Sequence, residues 1–175
     1  MPFAGGVYDA ILEAGKPLGL RHCGYHALNS LRIEKAYRDW SHDIGPDDTP
    51  LDAGLAFTCA WTKPEGFIGR EALQAARSQP RRRRLVQFLL SDREAMLYHN
   101  EPILLEGRRV GLITSGMFAH TLGAAAGLGY VSHEPGVSEE LIGSGHFEIL
   151  IAERRVPARA SLRPLYDPAG ARLRS

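Results

Sequence analysis

LRIEKAYRDWSHDIGPDDTPLDAGL, residues 31–55, is followed by FIGREAL, residues 67–73, and together these segments predict a helix end, a loop rich in turn formers and another helix. If the helix starts near residue 24, Ala27, Leu31 and Glu34 lie at positions i, i+4 and i+7 on one face. The other members of that face are apolar, so the pattern predicts a carboxylate that points inward. An inward-facing acid needs a partner.

Two interpretations of Glu34 are open on spacing alone. In the first, Glu34 pairs with a neighbouring cation, Arg32, Lys35 or Arg38, or its face is only half buried. In the second, Glu34 faces a pocket and accepts two parallel N–H bonds from a planar heterocycle that carries an amine beside a ring N–H, as a pterin does. Charge-assisted bidentate bonds of this kind are strong and orient the ligand.

Aromatic side chains close to Glu34 in the sequence are candidate contacts for such a planar ligand. Tyr25 and Tyr37 bracket the predicted helix, and Trp40 follows it. Tyr37 and Trp40 are positioned in the sequence to flank a ring. Because aromatic residues more often fill a core than bind a ligand, the alternative that these three are core residues also stands.

The overall composition predicts a globular chain of one ordinary domain or two small ones, with 175 residues and 44% hydrophobic residues. A net charge of +1 gives no global field that would attract nucleic acid or an anionic membrane, so neither partner is expected. No run of about 18 apolar residues and no secretion signal is evident, which predicts a cytoplasmic location.

Metal and redox motifs are not indicated by the cysteines and histidines. Cys23 and Cys59 do not form a C-x-x-C pair, and both are expected to be reduced thiols. His22 and His26 have helical i, i+4 spacing but no evident third ligand, so surface or capping roles are predicted and no metal is proposed.

Secondary-structure patterns divide the chain near residue 80. Helices are predicted over residues 7–14, 24–37 and 69–77, with a strand at residues 55–61. After residue 80 the apolar runs are short, β-branched and separated by glycines, which predicts an antiparallel sandwich or barrel. The expected strands are residues 85–90, 103–105, 110–114, 124–131, 147–152 and 156–162. Hairpin turns are expected at residues 107–108 and 153–154.

A dense basic run, RRRR at residues 81–84, lies at this predicted boundary. It could contact phosphate or nucleic acid, but no aromatic stacking platform accompanies it. The favoured interpretation is a solvated strand edge, where charge also discourages edge-to-edge pairing.

Motifs along nearly the whole length resemble the C-terminal part of the folate-binding aminomethyltransferase family. That family comprises the glycine-cleavage T-protein and the homologous half of dimethylglycine and sarcosine dehydrogenases. The similar segments are GLRHCGYHALNSLRIEKAYRDWSHDI, DDTPLDAGL, FIGREAL, RRRRLVQFLL, EPILLEGRRVGLITSG and TLGAAAGLGYV. T-proteins usually have R-L-E-A-G where this chain has RIEKA at residues 32–36. The lysine there and the closing ARASLRPLYDPAGARLR resemble the dehydrogenase branch.

The resemblance implies an α+β fold. Residues 1–80 would be the C-terminal segment of the folate-binding aminomethyltransferase domain, and residues 81–175 an antiparallel six-stranded jelly-roll-like β-barrel. By resemblance, Glu34 matches the glutamate that holds the pterin of tetrahydrofolate. Tyr25, Tyr37 and Trp40 are further candidate contacts because of their position in the sequence, not because of the resemblance. Arg70 lies in a segment that borders the folate pocket in the family, although related sequences often carry lysine there.

The family's catalytic aspartate and much of its folate cavity lie upstream of the similar region, and the flavin domain of the dehydrogenases lies further upstream, so the resemblance assigns no catalytic residue here. The expected role is a folate-binding portion of an FAD-dependent dimethylglycine or sarcosine dehydrogenase-like protein, in which tetrahydrofolate captures a one-carbon unit from an N-methyl amine. FAD is expected only in a full-length parent. The chain is not expected to catalyse alone. It is expected to be a fragment, the product of a truncated reading frame or a subunit completed by another chain.

A second class of function is also open. The chain could be a non-catalytic structural or interaction module that completes a folate-domain partner chain, or that forms a homo-oligomer, because an incomplete α+β region leaves apolar surface uncovered.

Overall fold

The computed structural model describes residues 3–174. Over that range the helices are α1 (Ala4–Gly15), α2 (Tyr25–Glu34), α3 (Arg70–Arg77) and α4 (Glu139–Ser144), with short 3-10 helices at Lys16–Leu18, Ala56–Thr58 and Ala171–Leu173. The strands are β1 (Arg83–Leu90), β2 (Pro102–Leu105), β3 (Arg108–Ala119), β4 (Ala124–Ser132), β5 (Phe147–Ile151) and β6 (Arg154–Ser161).

These six strands close into an antiparallel barrel in the order β1-β4-β3-β2-β5-β6, within the part of the chain that the structure describes. Closure comes from pairing of β1 with β6, in which Phe88 lies opposite Ala160. Because every strand has two neighbours, the sheet has no free edge. The predicted α+β class with an antiparallel six-stranded barrel is confirmed.

Strand β1 separates two apolar layers. Val86, Phe88 and Leu90 point into the barrel, whereas the alternate residues Leu85 and Leu89 pack on the outside, toward the N-terminal region. Strand β4 is buried on both faces along Ala124 to Val131. Its glycines admit close packing, since a methyl group at Gly129 would come within 2.6 Å of the main-chain oxygen of Leu112.

Helix α2 lies against the outer face of β3 and β4. Ile33 packs on Ala119 and Ala126, and the hydroxyl of Ser30 donates to the carbonyl oxygen of Phe118 at 2.7 Å. In contrast, α1 contains no buried residue. Its apolar side chains Val7, Tyr8 and Ile11 are exposed.

The predicted helices and the strands after residue 80 are present, but the predicted strand at residues 55–61 is wrong. That segment forms the short 3-10 helix Ala56–Thr58, and the indole N–H of Trp61 folds back to donate to the carbonyl of Ala56 at 2.9 Å. Both hairpin turns lie one residue earlier than predicted. Positive φ angles occur at Glu106 and Gly107 and at Ala152 and Glu153, as type I′ turns require.

The basic run at residues 81–84 is not simply a solvated edge, which corrects the prediction. Arg83 forms an ion pair with Asp48, with 2.6 Å between NH1 and Oδ1, and Arg84 donates to the carbonyl of Val137. Arg82 retains the expected surface character. The domain boundary near residue 80 stays a prediction.

Candidate functional site

Glu34 is the last residue of α2, and the way the helix ends fixes its position. The N–H of Tyr37 donates to the carbonyl of Arg32 at 2.8 Å, and the N–H of Ala36 donates to that of Ile33 at 2.9 Å. This pair of bonds defines a Schellman ending, which requires a left-handed residue just after the helix. Ala36 has that conformation, with φ +52°.

The carboxylate of Glu34 is buried, with 2% of the residue exposed. Its Oε1 accepts a hydrogen bond of 2.6 Å from the main-chain N–H of Thr121, in the β3–β4 turn. A main-chain donor holds the carboxylate in place without neutralising its charge. Each carboxylate oxygen has two lone pairs, so this bond leaves acceptor capacity on the group.

The cations that could have paired with Glu34 are engaged elsewhere. Arg32 NH1 lies 2.8 Å from Asp43 Oδ2, and Lys35 Nζ lies 3.0 Å from Asp167 Oδ2. Arg38 donates to the main-chain carbonyls of Ala53 and Ala36. Within residues 3–174, none of these three side chains forms an ion pair with Glu34. The interpretation that Glu34 pairs with a neighbouring cation is therefore wrong.

The predicted buried face of α2 is wrong, although Glu34 itself is buried as predicted. Ala27 and Leu31 are exposed, and the buried positions of α2 are Ser30, Ile33 and Glu34. The helix is therefore rotated relative to the predicted face, and Glu34 lies at the margin that both faces share.

A surface cleft of about 390 Å³ lies beside Glu34. The surface it exposes is mainly apolar, although five of its ten lining residues are charged: Cys23, Leu28, Leu31, Arg32, Glu34, Lys35, Tyr37, Tyr166, Asp167 and Arg172. Clefts of this size, with few polar groups on an apolar wall, are typical of small-molecule sites. Glu34 and Tyr37 are the two predicted site residues that the structure brings together.

The other predicted contacts lie elsewhere. Tyr25 lines a separate cavity of about 220 Å³ that also includes Asn29. Trp40 is largely exposed and lines neither cavity. Arg70 donates to the carbonyls of Trp61 at 2.7 Å and Lys63 at 3.0 Å, so its guanidinium holds the loop before α3.

A second buried carboxylate, Asp43, was not singled out by the sequence. It accepts hydrogen bonds from the guanidinium of Arg32, the N–H of Asp39 at 2.9 Å and the hydroxyls of Thr114 and Ser115 at 2.5 and 2.6 Å. Its acceptor capacity is used, which makes this network a structural tie between the loop after α2 and β3.

Sequence reasoning also missed Gln87, a buried amide on the outer face of β1. Its Nε2 donates to the carbonyl of Ile33 at 2.6 Å, and its Oε1 accepts from the N–H of Leu165 at 2.8 Å. A single polar residue in the apolar run LVQFLL was the available signal, because a buried amide must be bonded.

Both cysteines are free thiols, as expected. Among the described residues, no three or more His, Cys, Asp or Glu side chains are grouped so that they could hold a metal ion. In the same range, no helix has the length and apolar character needed to cross a membrane.

Two family models match the chain. The GCVT N-terminal domain matches residues 2–63, and the glycine cleavage T-protein C-terminal barrel domain matches residues 83–167. The barrel and the preceding α2 region define a glycine cleavage T-protein type of chain. This chain belongs to that family and corresponds to the C-terminal part of its relatives.

Two curated relatives illustrate the similarity. The chain is 44% identical to the 4-methylaminobutanoate oxidase (formaldehyde-forming) of Paenarthrobacter nicotinovorans, over 96% of this chain and 20% of the relative. It is 39% identical to the mitochondrial sarcosine dehydrogenase of Homo sapiens, over 96% of this chain and 18% of the relative. The chain thus spans about a fifth of the length of these relatives.

A solved structure has the same fold. The glycine cleavage system aminomethyltransferase T of Bartonella henselae superposes with a TM-score of 0.74 at 23% identity, covering 94% of this chain and 44% of that chain.

Proposed function

We propose that this chain forms part of a tetrahydrofolate-binding site in a protein of the aminomethyltransferase or dimethylglycine/sarcosine dehydrogenase type. Glu34 is the residue that orients the pterin. The observation that carries the proposal is a buried carboxylate held by the N–H of Thr121 rather than by a cation, at the wall of an apolar cleft.

The residues present fit the pterin end of a reduced folate. The free acceptor capacity of Glu34 matches an amine beside a ring N–H, and Leu28, Tyr37 and Tyr166 supply an apolar and aromatic wall. Tyr25, Trp40 and Arg70 are assigned no contact with this ring, because they lie outside the cleft.

In this proposal Glu34 binds and orients the ligand and does not react. When bound, tetrahydrofolate would accept the one-carbon unit of an N-methyl amine. A general acid or base must reach the reacting atoms, and no residue of this chain is assigned that role. FAD would belong to a full-length parent, and no flavin contact is assigned here.

Calorimetric titration with tetrahydrofolate tests the proposal. Glu34→Gln keeps an acceptor for the Thr121 N–H but loses the charge, so affinity should fall about tenfold or more. Glu140→Gln, an exposed carboxyl change in α4, is the matched control and should bind like the wild type. Equal affinity of the Glu34→Gln variant, or no binding by the wild type, contradicts the proposal.

A second candidate function rests on a different observation. Helix α1 buries none of its residues, and Phe57 and Ile68 are also highly exposed. Exposed apolar surface of this kind favours a non-catalytic module that docks onto a folate-domain partner chain or onto itself. Light scattering of the isolated chain measures whether it associates with itself. Self-association that Ile11→Glu abolishes supports an interaction surface on α1, and a strictly monomeric chain argues against self-docking.

A further inference from the structure

The C-terminal segment, residues 162–172, attaches to the chain where α2 ends. The N–H of Tyr166 donates to the main-chain carbonyl of Glu34 at 3.4 Å. Lys35 Nζ donates to the main-chain carbonyl of Asp167 at 2.7 Å and to its carboxylate at 3.0 Å. The segment is therefore bonded to the residue that carries the candidate ligand-binding carboxylate and to the next residue.

This attachment uses main-chain carbonyls at the C-terminal end of α2. The last four carbonyls of an α-helix lack partners within the helix. Gln87 Nε2 donates to two of them, Ile33 O at 2.6 Å and Glu34 O at 3.3 Å, while its Oε1 accepts from Leu165. One buried amide thus joins the end of α2, the barrel wall and the C-terminal segment.

The pair formed by Lys35 and Asp167 is shielded from water, with side-chain exposures of 14% and 11%. The hydrogen bond from Lys35 is the main cause of a lowered pKa for Asp167. The Asp167 carboxylate also accepts from the N–H of Ala171 at 2.8 Å, which turns the chain. Tyr166 is thereby held at the cleft, with its ring centroid 6.0 Å from Lys35 Nζ.

We infer that Lys35 and Asp167 form a latch, which holds the Tyr166 wall against the cleft and positions Glu34 for a planar, amine-bearing heterocycle. Both are positioning residues, since the latch acts through Glu34 and Tyr166. This inference rests on the proposed function of the cleft.

Calorimetry with tetrahydrofolate and amide hydrogen exchange of residues 162–172 test the latch together. Lys35→Met should bind about tenfold more weakly and exchange faster in that segment. Lys35→Arg retains a donor that reaches Asp167 and should restore most of the affinity. Lys63→Met, a change at an exposed lysine, should leave both measurements unchanged.

Asp167→Asn is the second variant if Lys35→Met fails to fold, because it keeps the main-chain bond to Lys35 and should weaken binding less. If the wild type binds tetrahydrofolate and these variants bind it equally tightly, or if hydrogen exchange in residues 162–172 is unchanged, the latch is overturned and the proposed function still stands. Absence of binding by the wild type overturns the proposed function and the positioning role with it.

Discussion

The guanidinium group of Arg83 lies over the ring of Tyr130, with its Cζ 3.5 Å from the ring centroid. The same group donates to Asp48 Oδ1 at 2.6 Å. One side chain therefore connects the loop before the barrel to the outer face of β4, and cation–π and ionic attraction act together there.

Replacing Arg83 with alanine should lower the free energy of unfolding by about 1 kcal/mol, because both interactions are lost. Arg82→Ala is the matched control. The Arg82 side chain is 71% exposed, against 42% for Arg83, and its change should stay within about 0.5 kcal/mol. Urea unfolding measures both, and equal effects would contradict a specific role for Arg83.

Stability should fall on acidification as Asp48 is protonated. Burial alone would raise the pKa of this carboxyl, but hydrogen bonds from Arg83 and from the N–H of Gly45 lower it overall. Because the folded-state pKa is lowered, the contribution is present above the ordinary value of 3.8 and is lost as pH falls through the folded-state value. Urea unfolding between pH 7 and pH 3 should show this loss, and Asp48→Asn should flatten it. An unchanged slope in that variant would contradict the assignment.

Asp43→Asn should destabilise the chain by about 3 kcal/mol, because it leaves Arg32 with only the longer ion pair to Asp39 at 3.7 Å and turns an amide toward hydroxyl donors. Asp47→Asn changes an exposed residue on the same loop and should be nearly neutral. Thermal unfolding compares the two. A small effect at Asp43 would mean that its network can rearrange.

Ala36→Gly should leave stability unchanged or raise it by up to about 1 kcal/mol. Glycine adopts the left-handed conformation of this position without strain, although a buried methyl group is lost. Ala72→Gly, inside α3, should instead cost about 1 kcal/mol. Chemical unfolding measures the change in free energy of unfolding for both variants. An equal loss of stability in Ala36→Gly and Ala72→Gly would contradict strain at Ala36.

The barrel could be predicted because its information is local. In the run LVQFLL, Val86, Phe88 and Leu90 face the interior, and Gly107 and Gly123 lie in the turns that separate β2 from β3 and β3 from β4. The segment at residues 55–61 could not be predicted in the same way, since its apolar residues suit a strand. The bond from Trp61 back to Ala56 overrides that preference.

The candidate site was predictable only in part. The helical spacing predicted that Glu34 is buried but placed it on a face whose other members, Ala27 and Leu31, are exposed. The partner of Glu34, Thr121, lies 87 positions away, and Lys35 and Asp167 are 132 positions apart. Contacts over such separations depend on how the barrel closes, which no local pattern encodes. Tyr25 and Trp40 lie near Glu34 in sequence, yet they lie outside the cleft it borders.

Both faces of strand β4 are packed, one against the barrel interior and one against α2. Any loosening of this shared wall removes support from both sides at once. The barrel and α2 should therefore melt in one cooperative step, with secondary and tertiary signals lost at the same temperature.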